Sequence, residues 1–209
     1  MATAERLIRR EAPLPPKVWT DEALMALSGD GVKVELVDGE PQMSQSTFIH
    51  GIIEARMAAA LTVYVVTHGL GFVCGSSTAF WMKRGNTRAP DVSFTSKHRL
   101  RGRPLPRKYM KGAPDLVVEV VSPNDVLIEL AKKMREYFES GTQLAWVINP
   151  EDQTVVVYHS AQPDYILKSG DSLNGEKIVP GFFMPVAEVF AGLALGKKSQ
   201  QKKLTRKKR

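Results

Sequence analysis

The run Leu116-Val117-Val118-Glu119-Val120-Val121 constrains the fold more than any other stretch of the chain. Its residues are β-branched or leucine except for one acid, and Pro114-Asp115 and Ser122-Pro123-Asn124-Asp125 bound it with turn formers, so it reads as a strand. Side chains alternate along a strand. Glu119 therefore shares a face with Val117 and Val121, while Leu116, Val118 and Val120 take the other. Both faces are apolar, as in a central strand of an α/β sheet covered on both sides. A carboxylate in that place costs free energy unless a cation or hydrogen-bond donors meet it.

Asp91 heads a second short apolar strand, Val92 to Thr95. As neighbours the two strands would run about 4.8 Å apart, near enough for both carboxylates to hold one hard divalent cation such as Mg²⁺. The helix expected after Ser122-Pro123 supplies a third group. Counted from Val126 at 100° per residue, Val126, Leu127, Leu130, Met134, Tyr137 and Phe138 fill one arc. Lys133 falls at the edge of that arc, at about −20°, whereas Lys132 falls at about 240°, on the solvent face with Glu129, Glu136 and Glu139. Only Lys133 is placed to reach back towards Glu119. A cation there can balance the acids, orient an attacking water or stabilise the charge that develops in phosphodiester cleavage. A purely structural Glu–Lys pair is the alternative.

The rest of the chain reads in order. Residues 1–18, which include Pro13-Leu14-Pro15-Pro16, are expected to be a flexible arm, and Thr20 is expected to cap a short helix that stops near Gly29. Val32 to Val37 and Glu40 to Met43 make a hairpin across Asp38-Gly39. Phe48 to Thr67 is helical, with Gly69-Leu70-Gly71 closing it. Strands follow near Phe72 to Gly75 and Thr78 to Lys83, with Lys83 to Arg88 as a connection to Asp91. Lys97 to Gly112 carries Arg99, Arg101, Arg103, Arg107, Lys108 and Lys111 among glycines and prolines. It reads as a basic loop beside the acids, suited to a polyanionic backbone or simply solvated. Leu144 to Ile148, Thr154 to Tyr158 and Tyr165 to Lys168 are further strands, and Pro185 to Phe190 a last short helix.

Composition bounds the function. At 209 residues, with 43% hydrophobic and 24% charged residues, the chain suits one globular domain over 19–194. No uninterrupted apolar run approaches ~18 residues and the start lacks an apolar signal core, so no membrane and a cytoplasmic location are expected. The single cysteine, Cys74, forbids an intramolecular disulfide and, lying in an apolar run, is expected to be a buried small residue rather than a nucleophile. The net charge of +7 resides in the tail: Lys197 to Arg209 holds eight basic and no acidic residues, which leaves 7 − 8 = −1 for the remainder. That tail, 195–209, is expected to be disordered and able to touch phosphates without sequence preference.

Several segments together resemble the Uma2 (Uma-two) family of bacterial domains, related to restriction endonucleases within the PD-(D/E)XK nuclease superfamily. They are Val34-Glu35-Leu36-Val37-Asp38-Gly39-Glu40, His50, Pro90-Asp91-Val92-Ser93-Phe94, Pro114 to Pro123, Lys133 with Tyr137 and Gly141, Trp146 with Asn149-Pro150, and Pro180-Gly181-Phe182. The resemblance runs from about Trp19 to Leu193. It implies an α/β restriction-endonuclease-like core, a mixed central sheet flanked by helices, with an amino-terminal helix and hairpin and carboxy-terminal strands added. It implies that Asp91 and Glu119 are metal ligands, that the Val120 carbonyl completes the coordination, and that Lys133 is the superfamily's lysine moved from strand to helix. Val121 stands two residues after Glu119, so the simple E-x-K form is absent. Glu35 or Glu40 would add an upstream acid, Glu35 being favoured, and His50 matches the family's histidine, able to bind phosphate or orient a site group. The function expected is Mg²⁺-dependent endonuclease cleavage of DNA, with Mn²⁺ as a substitute and a homodimer possible. An inactive nucleic-acid-binding module on the same fold, or an interaction domain that binds no nucleic acid, are the alternatives.

Overall fold

The computed structural model describes residues 18–28, 32–122 and 126–193. The arm before Val18, the basic tail, Gly29, and Pro123, Asn124 and Asp125 of the turn lie outside the described residues. In chain order the elements are α1 (Asp21–Leu27), β1 (Lys33–Val37), β2 (Glu40–Ser44), α2 (Phe48–Thr67), β3 (Gly71–Gly75), β4 (Phe80–Trp81), β5 (Thr87–Arg88), β6 (Val92–Ser96), α3 (Lys97–Leu100), β7 (Met110–Lys111), β8 (Leu116–Val120), α4 (Leu127–Glu139), β9 (Leu144–Asn149), β10 (Thr154–Tyr158), β11 (Pro163–Leu167), β12 (Ser172–Asn174), β13 (Phe183–Pro185) and α5 (Val186–Val189).

A six-stranded mixed sheet, ordered β11-β10-β9-β8-β6-β3, forms the centre. β8 and β9 are parallel across the α4 crossover, and the other neighbours are antiparallel. β8 lies inside the sheet with every residue buried. Its Leu116, Val118 and Val120 share one core with Ile53, Met57, Leu61 and Val65 of α2. Val117 shares a second core, on the opposite face, with Met134 and Tyr137 of α4. The alternation along the strand thus sorts its side chains between two helical layers, as the sequence pattern requires. The Thr47 side chain accepts from the His50 N–H and starts α2, which is long and apolar enough by composition to cross a membrane. Its row at spacing four, Ile53, Met57, Leu61 and Val65, instead packs on the sheet.

Two expectations change here. Residues 83–88 are not a plain connection. The Met82 N–H donates to the Asn86 carbonyl at 2.7 Å around Gly85, whose φ is +87°, and this turn pairs β4 with β5. Thr87 then pairs with Leu36, and the amino-terminal hairpin becomes part of a five-stranded sheet, β2-β1-β5-β4-β7. The apolar arc of α4 is also buried over less of its length. Val126 and Leu127 are exposed and burial starts at Leu130, because the first turn runs beyond the end of β8.

Candidate active site

In the β6–β8 ladder Val92 stands opposite Val118, so one step beyond the last pair Asp91 falls opposite Glu119. Asp91 is fully buried and held on three sides. Lys33 Nζ lies 2.7 Å from Oδ1, the Val120 N–H donates to Oδ2 at 2.7 Å, and His50 Nε2 lies 3.1 Å from Oδ2. Glu119 receives the Tyr137 hydroxyl on Oε1 at 2.6 Å and the Lys133 ammonium on Oε2 at 3.2 Å. Lys133 also stands 3.2 Å from Glu35, whose carboxylate accepts from Arg88 Nη1 at 3.0 Å and from the Ala89 N–H at 2.9 Å. Arg88 Nε in turn donates to Glu136 at 2.5 Å.

Burial opposes charge on every one of these groups, and the neighbours decide the outcome. For Asp91 the burial penalty is outweighed by His50 and Lys33, which hold its carboxyl well below the usual carboxylate range. Glu119 goes the other way: burial pushes it up, beyond what Lys133 offsets, and the Asp91 charge adds to the rise. Glu35 is lowered, because Lys133, Lys33 and Arg88 together exceed its burial. Burial would depress Lys133, yet Glu119 and Glu35 raise it above the ordinary lysine value. The pocket therefore keeps one carboxylate firmly ionised beside another that binds a proton more readily, with two ammonium groups at hand.

Asp91, Glu119, Lys133, Glu35 and His50 all line one cavity of about 390 Å³, together with Val120. Glu40 is exposed and lies away from it. The basic stretch 97–112 contributes none of the lining residues. It leaves β6 at Ser96, the end opposite Asp91, contains α3 and β7, and turns Arg99 inward onto Asp115 at 2.7 Å and onto the Gly141 carbonyl. Its expected place beside the acids is overturned by the antiparallel direction of β6. Glu136, read as solvent-facing, is half-buried against Asn86 and Arg88, because the β4–β5 hairpin covers that flank of α4. A larger cavity, about 630 Å³, lined by Trp19, Trp81, Arg84, Arg135 and Glu136, holds none of the central acids.

Sequence reasoning missed Lys33, Arg88, Glu54 and the hydroxyl of Tyr137. Lys33 had a usable signal: it sits two residues before Glu35 on an alternating strand whose other face, Val34 and Leu36, packs with Leu24. Arg88 had none, since its partners lie 53 and 48 residues away.

The Val121 N–H is donated to Ile148 on the β9 side. A trans peptide points its C=O the opposite way from its N–H, so the Val120 carbonyl faces the β6 side, where the Val120 N–H already meets Asp91. Asp91, Glu119 and Val120 all line the cavity, and their oxygens are hard donors of the kind that suits a divalent cation. Ligand atoms of His50, Glu54 and Asp91 also lie within 4.8 Å of one another, a spacing that can hold a metal ion.

No curated protein matches the sequence. Among solved structures, the chain is similar to a crystal structure from Anabaena variabilis described as "a putative nuclease belonging to DUF820", with a TM-score of 0.65 and 18% identity, over 75% of this chain and 89% of that one. At that identity the likeness concerns the fold, a mixed sheet flanked by helices. The family model Uma2, described as "Putative restriction endonuclease", matches residues 21–187. Because that match spans most of the chain, the protein belongs to the Uma2 family.

Proposed function

We propose that this protein is a Mg²⁺-dependent endonuclease that hydrolyses DNA phosphodiester bonds, with Mn²⁺ as a substitute. The observation that carries the reading is the meeting, in one cavity, of Asp91 and Glu119 from adjacent strands with Lys133 from the following helix. Asp91, Glu119 and the Val120 carbonyl would hold the cation. When bound, it supplies a water of lowered pKa and neutralises charge on the phosphate. The chain's own groups do the rest. Lys133, held between Glu119 and Glu35, would orient the attacking water, and Lys33 would offer an ammonium to a phosphate oxygen. Arg88 and the Ala89 N–H keep Glu35 in position, and Tyr137 fixes the rotamer of Glu119.

A second reading is favoured by one feature: Asp91, Glu119 and Glu35 each already have a cationic partner within the chain. On that reading the cluster is structural and the domain binds nucleic acid without cutting it. Incubation of the purified protein with plasmid and with single-stranded DNA, in Mg²⁺, Mn²⁺ and EDTA, separates the two. Cleavage is expected with either cation and none in EDTA, and Asp91→Asn and Lys133→Met should each lower the rate by about 100-fold or more. Salt-sensitive retention of DNA with no cleavage in any buffer would leave the binding module as the function.

A further inference from the structure

His50 is anomalous. Its side chain is 9% exposed, yet neither ring nitrogen has an aligned hydrogen-bond partner. Buried imidazoles are ordinarily satisfied, and one whose near neighbours are carboxylates without aligned hydrogen bonds calls for an explanation, of which a bound cation is one. Nε2 points among carboxylate oxygens: Asp91 Oδ2 at 3.1 Å and Glu54 Oε2 at 4.0 Å. Ligand atoms of all three residues lie within 4.8 Å of one another, close enough for one cation to be held among them. Glu54 is fixed for the purpose, since Ser76 Oγ donates to its Oε1 at 2.6 Å and leaves Oε2 towards His50. His50 and Glu54 are four residues apart on α2, one turn, so the helix itself sets their spacing.

We infer that His50, Glu54 and Asp91 form a second divalent-cation position, one that includes an imidazole nitrogen and shares Asp91 with the oxygen-only set of Asp91, Glu119 and the Val120 carbonyl. The inference rests on the nuclease reading for the first position, while the second adds His50 and Glu54, which the first does not use. Imidazole favours first-row transition cations over Mg²⁺, so this position takes Mn²⁺ in preference to Mg²⁺.

The test uses the full chain and Mn²⁺ alone, without DNA. Calorimetric titration is expected to give two Mn²⁺ per chain in the wild type, and one in Glu54→Gln and in His50→Gln. Pulsed EPR should show coupling to an imidazole nitrogen in the wild type that His50→Gln removes. Glu119→Gln should lose the other ion and keep that coupling. One Mn²⁺ per chain that is lost in Glu119→Gln but retained in Glu54→Gln and His50→Gln would overturn the second position and leave the first standing. No bound Mn²⁺ at all would remove both.

Discussion

Glu119 is divided between a hydroxyl and an ammonium, and the two partners differ in what they contribute. Tyr137 is buried, and its hydroxyl at 2.6 Å is a donor with no water to replace it. Tyr137→Phe removes that bond while keeping the ring in the core, and is expected to lower stability by about 1 to 2 kcal/mol in urea unfolding. An unchanged midpoint would mean that Lys133 alone satisfies Glu119. Lys33 is the companion case. Burial would depress its pKa, but Glu119 and Asp91 raise it, so it stays charged. Lys33→Met leaves Asp91 without its nearest cation and should cost about 3 kcal/mol in metal-free buffer. Lys132→Met, one helical step from Lys133 but on the solvent side, is expected to leave the unfolding midpoint where it was. Asp91→Ala must likewise destabilise the metal-free protein, because its carboxylate holds Lys33 and the Val120 N–H even if the site is catalytic.

At the scale of elements, the carboxy-terminal strands are tied by His159. Its Nδ1 lies 2.9 Å from Asp164 on β11, and its Nε2 lies 2.8 Å from Glu176 after β12. Burial disfavours the charged ring, but Glu176 and Asp164 together outweigh it and raise the pKa above its ordinary value of 6.5. A raised folded-state pKa gives stability that is complete below the unfolded value and is lost as pH rises through the folded one. Between about pH 6 and pH 8 the melting temperature should therefore fall by an amount that His159→Gln abolishes. Identical pH slopes for the two proteins would show that the clamp carries no charge. Among the elements, those set by local rules were legible in the sequence. The span of α2, the hairpin across Asp38-Gly39 with both residues at positive φ, and the two faces of β8 follow from periodicity and turn chemistry. The β4–β5 hairpin and the burial limit of α4 did not, since both depend on what covers them.

For the whole molecule, the basic stretch and the cavity are separately placed. The basic stretch 97–112 lies at the far end of β6 from Asp91, and the remaining excess of positive charge is the eight basic residues of Lys197 to Arg209. Ending the chain after Leu193 is expected to flatten the salt dependence of DNA retention, by about 0.9 in the log–log slope for each phosphate that the tail neutralises. Filter binding across a salt series measures this. The rate of metal-dependent cleavage of a short duplex at saturating protein should stay as it was, because the groups proposed to hold the cation and the water all precede Leu193. A slope that does not change would mean that the tail neutralises no phosphate.

Taken alone, the sequence determined that Glu119 stands on a buried strand, that Asp91 heads another, and that Lys133 rather than Lys132 faces the sheet. Those statements depend on periods of two and 3.6 residues, which any helix or strand must obey. Only the tertiary structure decided that Lys33 meets Asp91 across 58 residues, that Arg88 is locked between Glu35 and Glu136, and that the basic stretch points away from the acids. Each depends on strand order and direction. These are set by how the crossovers bury the apolar faces of the whole chain together, and a local pattern carries no record of that choice.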